Sequence, residues 1–576
     1  MDSRTAAHVL SQISALVELQ AGNRYKARAY QSAARAILGL DSDDLTPLHR
    51  SGELKEVPGI GPATLSVLRD LIETGESRYY DQLRESTPEG MLEMLRVPGL
   101  GVAKIQTIRE GLGIESLHEL EEAARDGRLA RLPRFGPKTA EKILKGIGFL
   151  RETVALELYP QAFGEAMRLL TGVRRHPEIV RAELAGSVRR HREVIGDIDI
   201  VAACRSAPER VAASFARAPG VREVTGAGDA SVTIRYVDGT RLDLHCVRPE
   251  ELAIAWWRAT GSETHLDDVR AHAATRGLTI VGDTLRDAAG SPIDIADEAA
   301  FFEAIGLGYI PPELREGVRE VDAAHRGDIP TLVEYADIRG VLHCHSRYSD
   351  GTASITELAE AARRRGWSYL GISDHSESAF YAGGLSREAV LAQHEEIDRV
   401  NETLDGFRVL KGVEADILAD GRIDYDASTL DSFDYVIGSI HSRFSMTGAQ
   451  MTERVLAALD DPHLTILGHP TGRLLLTREP YAIDLDAVIE KAGERGVAIE
   501  LNADPHRLDL DWRYCPAAKR SGAMIEIGPD AHSTQSLDNV QIGVGIARKG
   551  WLEAGDVLNT RSAEDVLAHA ARRRAR

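Results

Sequence analysis

Histidines and acidic residues recur where short apolar segments end in the second half of this 576-residue chain. The first such segment is LHCHSRYSDG, residues 342–351, in which His343 and His345 lie two positions apart. Residues two apart on an extended strand share a face, so both imidazoles can bind one metal ion. The later segments end in further residues of metal-ligand type: His375, Glu414, His441, His469, Asp530 and His532. Six of the 19 histidines lie at these segment ends, which predicts a metal cluster.

Charged helical stretches such as ITELAEAARRRGW and AVIEKAGERG separate these apolar segments. Seven strands that alternate with helices predict a parallel β/α barrel or a close variant of it. The carboxyl ends of barrel strands converge on one face, so the predicted ligands would lie together there. Nitrogen and oxygen ligands without thiolates suit Mn²⁺, Zn²⁺ or Fe²⁺, and the sequence does not select among them.

A second group of acidic residues lies in and after LAGSVRRHREVIGDIDIVAAC, residues 184–204. Asp197 and Asp199 alternate onto one face of a predicted strand, where two carboxylates repel each other unless a cation lies between them. The residues that complete the pattern are Gly186, Ser187 and Arg190 upstream and Asp243 in the later segment GTRLDLHCV. Mg²⁺ prefers carboxylates together with substrate phosphates, so the pattern predicts a metal site that handles a phosphorylated substrate.

One short glycine-containing pattern occurs three times near the N terminus. The copies are VPGIGPAT at 57–64, VPGLGVAK at 97–104 and LPRFGPKT at 132–139. Each copy follows a helical stretch and opens another, which predicts a tight hairpin whose glycines let the backbone approach a partner closely. N–H groups at a helix start suit phosphate oxygens, and the candidate contact residues are Gly59, Gly61, Gly99, Gly101, Gly136 and Lys138. The third copy has Arg134 in place of the first glycine.

The formal net charge of −20 argues against a uniformly basic protein, but it does not exclude a local phosphate-binding face. Residues 128–151 carry seven basic residues and one acidic residue. The four cysteines form no C-x-x-C pair, which argues against a disulfide framework and a thiolate zinc site. No apolar run is long enough to span a membrane, and the N-terminal residues lack signal-peptide order. We therefore expect a cytoplasmic protein without membrane contacts.

Residues 1–320 resemble the family X DNA polymerases, the polymerase-beta-like group. The hairpins, the G-S and GDID segments, and the later ATGS and IPPELRE segments carry this resemblance. It implies that Asp197 and Asp199 bind two metal ions, Mg²⁺ or Mn²⁺, and that Asp243 binds the catalytic ion and helps to activate the primer 3′-hydroxyl. It also implies nucleotide contacts at Gly186, Ser187, Arg190 and Gly196, and a primer contact at Arg241.

Several positions depart from that family's pattern. Arg258 and Ala259 precede the T-G-S triplet, where family members usually carry an aromatic residue that crowds the sugar 2′ position. Discrimination against ribonucleotides therefore stays open. Leu266 replaces an asparagine that in family members usually makes a minor-groove contact to the incoming nucleotide. Val67 takes the position of the nucleophilic lysine of lyase-competent relatives, and we therefore expect no Schiff-base lyase activity.

The chain from residue 338 to about 570 resembles the PHP (polymerase and histidinol phosphatase) domain. The segments HCHSRYSDG, SDHS, GVEADI, GSIHS, GHPTGR and DAHS occur in family order. The resemblance implies a cluster of three metal ions, Mn²⁺ or Zn²⁺, in which Glu414 bridges two ions and Asp350 is the ninth ligand. The implied ligands are His343, His345, Asp350, His375, Glu414, His441, His469, Asp530 and His532.

We therefore expect a multidomain fold that combines an α-helical helix-hairpin-helix region, an α+β nucleotidyltransferase palm and a seven-stranded β/α barrel of the PHP type. The expected boundaries are 1–92 for an N-terminal helical domain, 93–155 for a helical DNA-binding subdomain with two hairpins, 156–250 for the palm, 251–320 for a nucleotide-selection subdomain, 321–337 for a linker and 338–576 for the PHP domain.

The expected function is gap filling in DNA repair, including base excision repair, by a DNA-directed DNA polymerase. Its partners would be gapped or primed duplex DNA, 3′ ends and deoxynucleoside triphosphates. The PHP domain is expected to act as a metal-dependent 3′–5′ exonuclease or to process 3′ ends. Two alternatives stay open, a PHP phosphatase that acts on small molecules and a nuclease with only weak polymerase activity. A DNA-binding scaffold is disfavoured because the three palm aspartates are intact.

Overall fold

The chain divides into two units, residues 1–155 and 156–576, in this computed structural model. Each unit is built around its own buried cores. The residues that the structure describes are 3–20, 24–38, 45–75, 77–95, 97, 99–133, 135–153, 156–218, 220–228, 230–236 and 239–575.

The first unit is helical. Its helices are α1 (Ser3–Leu19), α2 (Arg24–Leu38), α3 (Leu45–Ser51), α4 (Pro62–Thr74), α5 (Arg78–Glu85), α6 (Glu89–Leu95), α7 (Val102–Leu112), α8 (Leu117–Arg125) and α9 (Pro137–Thr153). Apolar side chains from the whole length of the unit, including Leu10, Leu68, Ile105 and Ile143, are buried in one core. The expected boundary between residues 92 and 93 lies inside α6, and the same core continues on both sides of it.

The three hairpins of this unit share one backbone geometry. The N–H group of the fourth residue in each copy donates to the carbonyl of the first, at 3.1 Å in the first copy and 3.0 Å in the other two. Gly59 and Gly99 adopt positive φ angles of 97° and 78°, which explains the glycine at this position. Arg134, which takes that position in the third copy, lies outside the described residues.

The second unit begins with the palm. Its elements are β1 (Glu157–Leu158), α10 (Tyr159–Arg174), β2 (Ile179–Leu184), α11 (Gly186–Arg189), β3 (Val194–Ile195), β4 (Ile198–Cys204), α12 (Pro208–Phe215), β5 (Val221–Ala227), β6 (Ser231–Tyr236) and β7 (Arg241–Val247). Five of the strands form a sheet in the order β2-β4-β7-β6-β5. Strands β4 and β7 at its centre are parallel, and their register places Asp199 opposite Asp243.

A smaller helical part follows the palm. It contains α13 (Leu252–Thr260), α14 (Glu263–Thr275), β8 (Thr279–Val281), β9 (Thr284–Arg286), β10 (Pro292–Ile293), α15 (Glu298–Ala304) and α16 (Glu320–Arg326). Its core surrounds Trp257 and Phe301, both fully buried, and it includes Trp551 from near the end of the chain.

The expected linker at residues 321–337 is part of the folded core. Helix α16 occupies its first half, and Leu332 and Val333 are buried at 6% and 0% exposure. The Val333 N–H group donates to the Leu552 carbonyl at 2.9 Å. The polar character and the proline of this segment suggested a linker, but its few apolar residues pack into the adjacent cores.

The C-terminal part is the predicted barrel. Its elements are β11 (Gly340–Val341), α17 (Ile355–Arg364), β12 (Tyr369–Ile372), α18 (Arg387–Thr403), β13 (Arg408–Asp416), α19 (Ala427–Leu430), β14 (Tyr435–Ser439), α20 (Gly448–Leu459), β15 (Leu464–Leu467), α21 (Leu485–Arg495), β16 (Ala498–Asn502), α22 (Cys515–Ser521), β17 (Ile525–Gly528), α23 (Asn539–Lys549) and α24 (Ala563–Arg574). Its seven strands are parallel and lie in chain order, which confirms the predicted fold class.

The segment that carries the first two histidines joins the two ends of this sheet. Strand β11 ends at Val341, so His343 and His345 lie just beyond it rather than within it as the spacing suggested. The His345 N–H group donates to the Ala531 carbonyl at 2.8 Å, and the Ala531 N–H group donates to the His343 carbonyl at 3.1 Å. The barrel is therefore nearly closed at its carboxyl end, where backbone from the first and last strands meets.

None of the helices in the described ranges combines the length and the apolar character that crossing a membrane requires.

Candidate active sites

The carboxylates of the palm lie together at one end of its central strands. Asp199 and Asp243 are paired in the register of β4 and β7, and Asp197 comes just before β4. Arg241 bridges two of them, with its Nη2 atom 3.0 Å from Asp243 Oδ2 and its Nη1 atom 3.7 Å from Asp197 Oδ2. Thr233 donates a hydrogen bond to Asp243 at 2.5 Å. The structure thus brings the three predicted aspartates and Arg241 into one group.

The electrostatics of this group favour a bound cation. Burial, together with the neighbouring carboxylates of Asp197 and Asp243, raises the pKa of Asp199 to about 7. Burial also raises the pKa of Asp197, despite the opposing effect of the Arg241 guanidinium. A divalent cation between these oxygens would remove the repulsion and keep all three groups ionised, so the residues fit the predicted Mg²⁺ or Mn²⁺ site.

Gly186 places its backbone directly against Asp199. It begins α11 with a φ angle of 60°, and a Cβ atom at this position would overlap the Asp199 carboxylate. The hydroxyl of the next residue, Ser187, is buried and makes no hydrogen bond within the described part of the chain. Buried polar groups are usually paired, so this hydroxyl is available to a ligand such as a phosphate oxygen. Gly196 lies between β3 and β4 and directly precedes Asp197.

The two arginines after this turn have different surroundings. Arg189 forms a bidentate ion pair with Glu298, at 2.9 and 2.6 Å, and also donates to Thr260 Oγ1 at 2.8 Å. Arg190 donates from Nε to Glu316 Oε1 at 3.0 Å and from Nη1 to the Thr260 carbonyl at 2.5 Å. The Arg190 charge lowers the pKa of the nearby Asp199, although burial outweighs it. Arg190 therefore lies near the carboxylates while Glu316 holds it in place.

The positions that depart from the family pattern have ordinary structural partners. Arg258 donates to both oxygens of Asp283, at 2.7 and 3.1 Å, and lies 2.8 Å from His245 Nε2. Leu266 packs against the core around Trp257. Val67 is 3% exposed in the core of the first unit. The effect of these positions on activity stays a prediction.

The hairpin residues present open backbone at the surface of the first unit. A Cβ atom built on Gly61, Gly99, Gly101 or Gly136 would meet no other atom within 4 Å, so a ligand can approach there. Gly61 and Gly101 directly precede α4 and α7, and Lys138 lies in the exposed first turn of α9. This arrangement suits phosphate oxygens, and the DNA-binding role of these residues stays a prediction.

The predicted ligands of the barrel converge around Glu414, at the end of β13. Its Oε1 atom lies 2.9 Å from His469 Nε2 and 3.2 Å from His441 Nε2. Its Oε2 atom lies 2.9 Å from His375 Nδ1 and 3.7 Å from His345 Nε2. His343 Nε2 lies 3.5 Å from Oε1 as well, and a position among five imidazoles is the one expected of a bridging carboxylate.

Two aspartates complete the cluster on the other side of His345. Asp530 Oδ1 lies 3.3 Å from His345 Nε2 and 3.6 Å from His343 Nε2. Asp350 lies 3.6 Å from His375 Nε2 and 3.4 Å from His532 Nε2. Ligand atoms that lie within 4.8 Å of one another form three groups: His345, Asp350, His375 and His532; His343, His345 and Asp530; and His375, Glu414 and His441.

The cluster fits metal ions because several of its ring nitrogens have no hydrogen-bond partner among the described residues. His343 Nε2 and both nitrogens of His345 are buried and form no hydrogen bond to any described residue. Leaving such groups unpaired away from water costs free energy, which a bound cation would offset. Burial and the neighbouring His532 and His375 lower the pKa of His345 to about 3. His345 is therefore neutral, which is the form of imidazole that binds a metal.

The sequence patterns missed the residues that orient these ligands. Glu500 accepts a hydrogen bond from His343 Nδ1 at 2.5 Å and another from the His469 N–H group at 2.6 Å. Asp416 lies 2.7 Å from His441 Nδ1. Glu500 is an acidic residue inside the apolar segment VAIELNA, and that position was the available signal. Carboxylates behind metal-binding histidines fix the ring orientation and increase the basicity of the ligand.

Two ligands also have strained backbones. The non-glycine residues His469 and Asp530 adopt positive φ angles of 21° and 49°. Such conformations cost free energy and persist when the surrounding contacts enforce them. Asn502 Nδ2 donates to Asp530 Oδ2 at 3.0 Å, and the Arg507 guanidinium lies 3.3 Å from the same oxygen. Arg507 thus adds one cationic group inside the cluster.

Comparison with known proteins agrees with this division of the chain. The family models that match are Helix-hairpin-helix domain at residues 1–77, SAM-like Helix-hairpin-helix tandem at 91–148, DNA polymerase beta thumb at 255–316 and PHP domain at 342–504. The chain is 36% identical over 575 residues to the DNA polymerase/3'-5' exonuclease PolX of Bacillus subtilis (strain 168), covering 99% of each sequence.

Shorter relatives are probable phosphatases. One, from Caldanaerobacter subterraneus subsp. tengcongensis, is 30% identical over 207 residues, which are 33% of this chain and 74% of the relative. Another, from Clostridium acetobutylicum, is 28% identical over 214 residues, which are 34% of this chain and 80% of the relative.

We predict that Gly186→Ala lowers the expected nucleotidyl transfer by about 100-fold, because the added methyl group must displace the Asp199 carboxylate. Single-turnover primer extension measures this change. The control is Gly164→Ala, at an exposed helical glycine where a Cβ atom meets nothing within 4 Å. Equal rates for the two variants would contradict the close approach of Gly186 to Asp199.

We predict that Glu500→Gln weakens metal binding by the barrel by about 10- to 100-fold, because His343 loses the carboxylate that orients it. Metal content after dialysis, measured by mass spectrometry, reports the loss without reference to activity. Glu490→Gln, at an exposed position on α21, serves as the matched control. Full metal occupancy in the Glu500 variant, with unchanged thermal unfolding, would show that Glu500 does not support the cluster.

Proposed function

Because the chain belongs to the family X DNA polymerases that carry a C-terminal PHP domain, we propose that it both extends and trims DNA. The palm carboxylates would carry out nucleotidyl transfer, and the barrel cluster would hydrolyse phosphodiesters at 3′ ends. The full-length relative from Bacillus subtilis is named for this pair of activities, DNA polymerase and 3′–5′ exonuclease. The proposal rests on one observation: the chain brings together two separate groups of side chains of metal-ligand type, the aspartates paired across β4 and β7 and the histidines and carboxylates at the barrel strand ends.

In the polymerase reaction, Asp197, Asp199 and Asp243 would hold Mg²⁺ or Mn²⁺ ions. The ions, when bound, supply the positive charge that stabilises the attacking and leaving oxygens of an in-line displacement. The free hydroxyl of Ser187 and the guanidinium of Arg190 would bind the triphosphate of the incoming deoxynucleotide, and Gly186 lets its backbone approach. Arg241 would hold Asp243 toward the primer terminus, since it already contacts that carboxylate.

The helical unit would hold the duplex without reading its sequence. Its hairpins offer backbone N–H groups at helix starts and the exposed side chain of Lys138, which are contacts to the phosphate backbone. Such contacts fix register and orientation on DNA of any sequence. We propose that the substrates are gapped or primed duplexes and that the role is gap filling in repair. A polymerase that binds DNA through its phosphates is suited to short gaps of any sequence.

In the trimming reaction, the nine ligand residues around Glu414 would hold up to three ions, Mn²⁺ or Zn²⁺. The ions supply Lewis-acid chemistry toward a phosphodiester when they are bound. Glu500, Asp416 and Asn502 would keep the ligands oriented through their hydrogen bonds. The Arg507 guanidinium beside Asp530 offers a further positive charge to a non-bridging phosphate oxygen.

A second candidate function for the barrel is hydrolysis of a small phosphorylated molecule, which the similarity to probable phosphatases favours. The mouth of the barrel contains two exposed aromatic residues that favour DNA. Phe380 and Tyr381 are 85% and 61% exposed, and the Tyr381 ring centroid lies 6.4 Å from that of His441. Exposed aromatic rings stack on unpaired nucleobases, whereas a phosphate without a base gains nothing from them.

We predict that the two activities separate by mutation. On a 5′-labelled primer in a one-nucleotide gap, Asp197→Ala/Asp199→Ala should abolish extension and retain shortening. His343→Ala/His345→Ala should do the reverse, with Mn²⁺ or Mg²⁺ present and with or without deoxynucleotides. A wild-type enzyme that never shortens the primer would reject the exonuclease in favour of the phosphatase. Shortening without extension would identify the protein as chiefly a nuclease.

We predict that Phe380→Ala/Tyr381→Ala lowers the rate of 3′-end shortening by at least about tenfold, since base–aromatic stacking contributes about 1–3 kcal/mol per base. Shortening of a primer whose 3′-terminal residues are abasic should be the same in this variant and in wild type, because such residues offer no base for the rings to stack on. Leu391→Ala, at a 53% exposed position on α18, is the matched control. A parallel loss on both substrates would mean that the aromatic pair supports the cluster itself.

A further inference from the structure

Helix α23 of the barrel packs directly against the turn that follows the predicted nucleotide-binding residues. A Cβ atom on Gly545 would overlap the imidazole of His191, so the backbone of α23 lies against the His191 side chain as closely as a glycine allows. His191 itself has a positive φ angle of 51°, which bends the chain between Arg190 and Arg192. The palm turn and the barrel helix therefore form one packed surface.

Lys549, the last residue of α23, is the charged group of this surface. It is 0% exposed, and its Nζ atom forms an ion pair with Glu316 and donates to the Arg190 carbonyl at 3.2 Å. It also lies 4.9 Å from the Trp512 ring centroid. A fully buried ammonium group is costly unless it is paired, so its retention here requires the carboxylate of Glu316.

Glu316 is shared between this lysine and the predicted nucleotide-binding arginine. Arg190 Nε lies 3.0 Å from Oε1, the same oxygen that Lys549 contacts, and Arg192 Nη1 lies 3.4 Å from Oε2. Three cationic side chains thus surround one carboxylate whose side chain is 8% exposed. Because the three positive charges exceed the single negative charge of Glu316, Arg190 can still attract an anion that approaches from the side where the palm carboxylates lie.

We propose that Lys549, a residue of the PHP barrel, is a positioning residue of the polymerase site. By neutralising Glu316, Lys549 weakens the hold of that carboxylate on Arg190, so that the triphosphate of an incoming nucleotide competes for the guanidinium. The carbonyl contact to Arg190 fixes the backbone of the same turn. The inference rests on the proposed polymerase activity and extends it, because a side chain from the hydrolytic domain then sets nucleotide affinity.

A contact that only joins the palm to the barrel would look the same as the Lys549 contact in the structure, but mutating it would have a different effect on nucleotide affinity. Arg548, the residue before Lys549 in the helix, forms an ion pair with Glu313 at 2.6 Å and contacts none of the predicted nucleotide-binding residues. Removing a contact that only joins the two parts would lower stability, or the amount of active enzyme, and leave nucleotide affinity unchanged. Removing Lys549 strengthens the pairing of Glu316 with Arg190 and lowers the positive charge near the triphosphate.

The test compares Lys549→Met, Lys549→Arg and the control Lys519→Met in the full-length protein. Lys519 pairs with Glu553 and Asp556 within the barrel and is about one-third exposed. Binding of deoxynucleotide to a gapped duplex with a dideoxy-terminated primer is measured with Mg²⁺ present, alongside kcat and KM for extension of a normal primer. Hydrolysis of bis(4-nitrophenyl) phosphate and thermal unfolding report whether the barrel is intact.

For Lys549→Met we expect Kd and KM for the deoxynucleotide to rise by about five- to tenfold, with kcat within about twofold of wild type. Lys549→Arg should restore most of the affinity, and Lys519→Met should match wild type. Unchanged Kd and KM in Lys549→Met, with a loss only in kcat or stability, would overturn the proposal. A wild-type protein that binds deoxynucleotide but fails to extend primers would contradict the proposed polymerase, while the binding measurement still decides the role of Lys549.

Discussion

Both sites of this protein depend on holding like charges or unpaired polar groups close together away from water. In the palm, three carboxylates face one another, and burial with mutual repulsion raises the pKa of Asp199 to about 7. In the barrel, imidazole nitrogens are buried without hydrogen-bond partners around Glu414. Each arrangement costs free energy by itself, so the packing of the surrounding cores must hold it in place. The parallel register of two strands does this in the palm, and the converging strand ends do it in the barrel.

Much of this architecture could be predicted from the sequence because it follows short-range patterns. The alternation of apolar segments with charged helical stretches predicted the barrel, polar residues at the segment ends predicted eight of its ligands, and the repeated glycine pattern predicted the hairpins. The partners of these residues could not be predicted in the same way. Glu500 lies inside an apolar segment, far along the chain from His343, and no spacing connects the two. The pairing of Glu316 with Arg190 likewise joins residues from different elements, which only the folded chain brings together.

The division of the chain after residue 155 agrees with the predicted boundary there, whereas the predicted boundary at 92–93 and the predicted linker at 321–337 do not follow the buried cores, for a related physical reason. Composition marks where a segment is polar, but it does not show what the few apolar residues of that segment contact. Leu332 and Val333 lie in the expected linker and are nevertheless buried, one of them in the same core as Trp551 from the end of the barrel. Residues 156–576 accordingly form one compact unit in which the polymerase-like and barrel parts share cores and buried ion pairs.

The near-closure of the barrel also bears on the order in which the protein can mature. The backbone that carries His343 and His345 is hydrogen-bonded to Ala531, between the two last ligands, Asp530 and His532. During synthesis, the first predicted metal ligands, His343 and His345, therefore leave the ribosome long before the last ones, Asp530 and His532. The helical unit, by contrast, has its whole core within residues 1–155. A nascent chain that has not reached residue 530 thus contains the predicted DNA-binding hairpins but not the complete set of predicted metal ligands, so metal loading of the barrel requires nearly the whole chain.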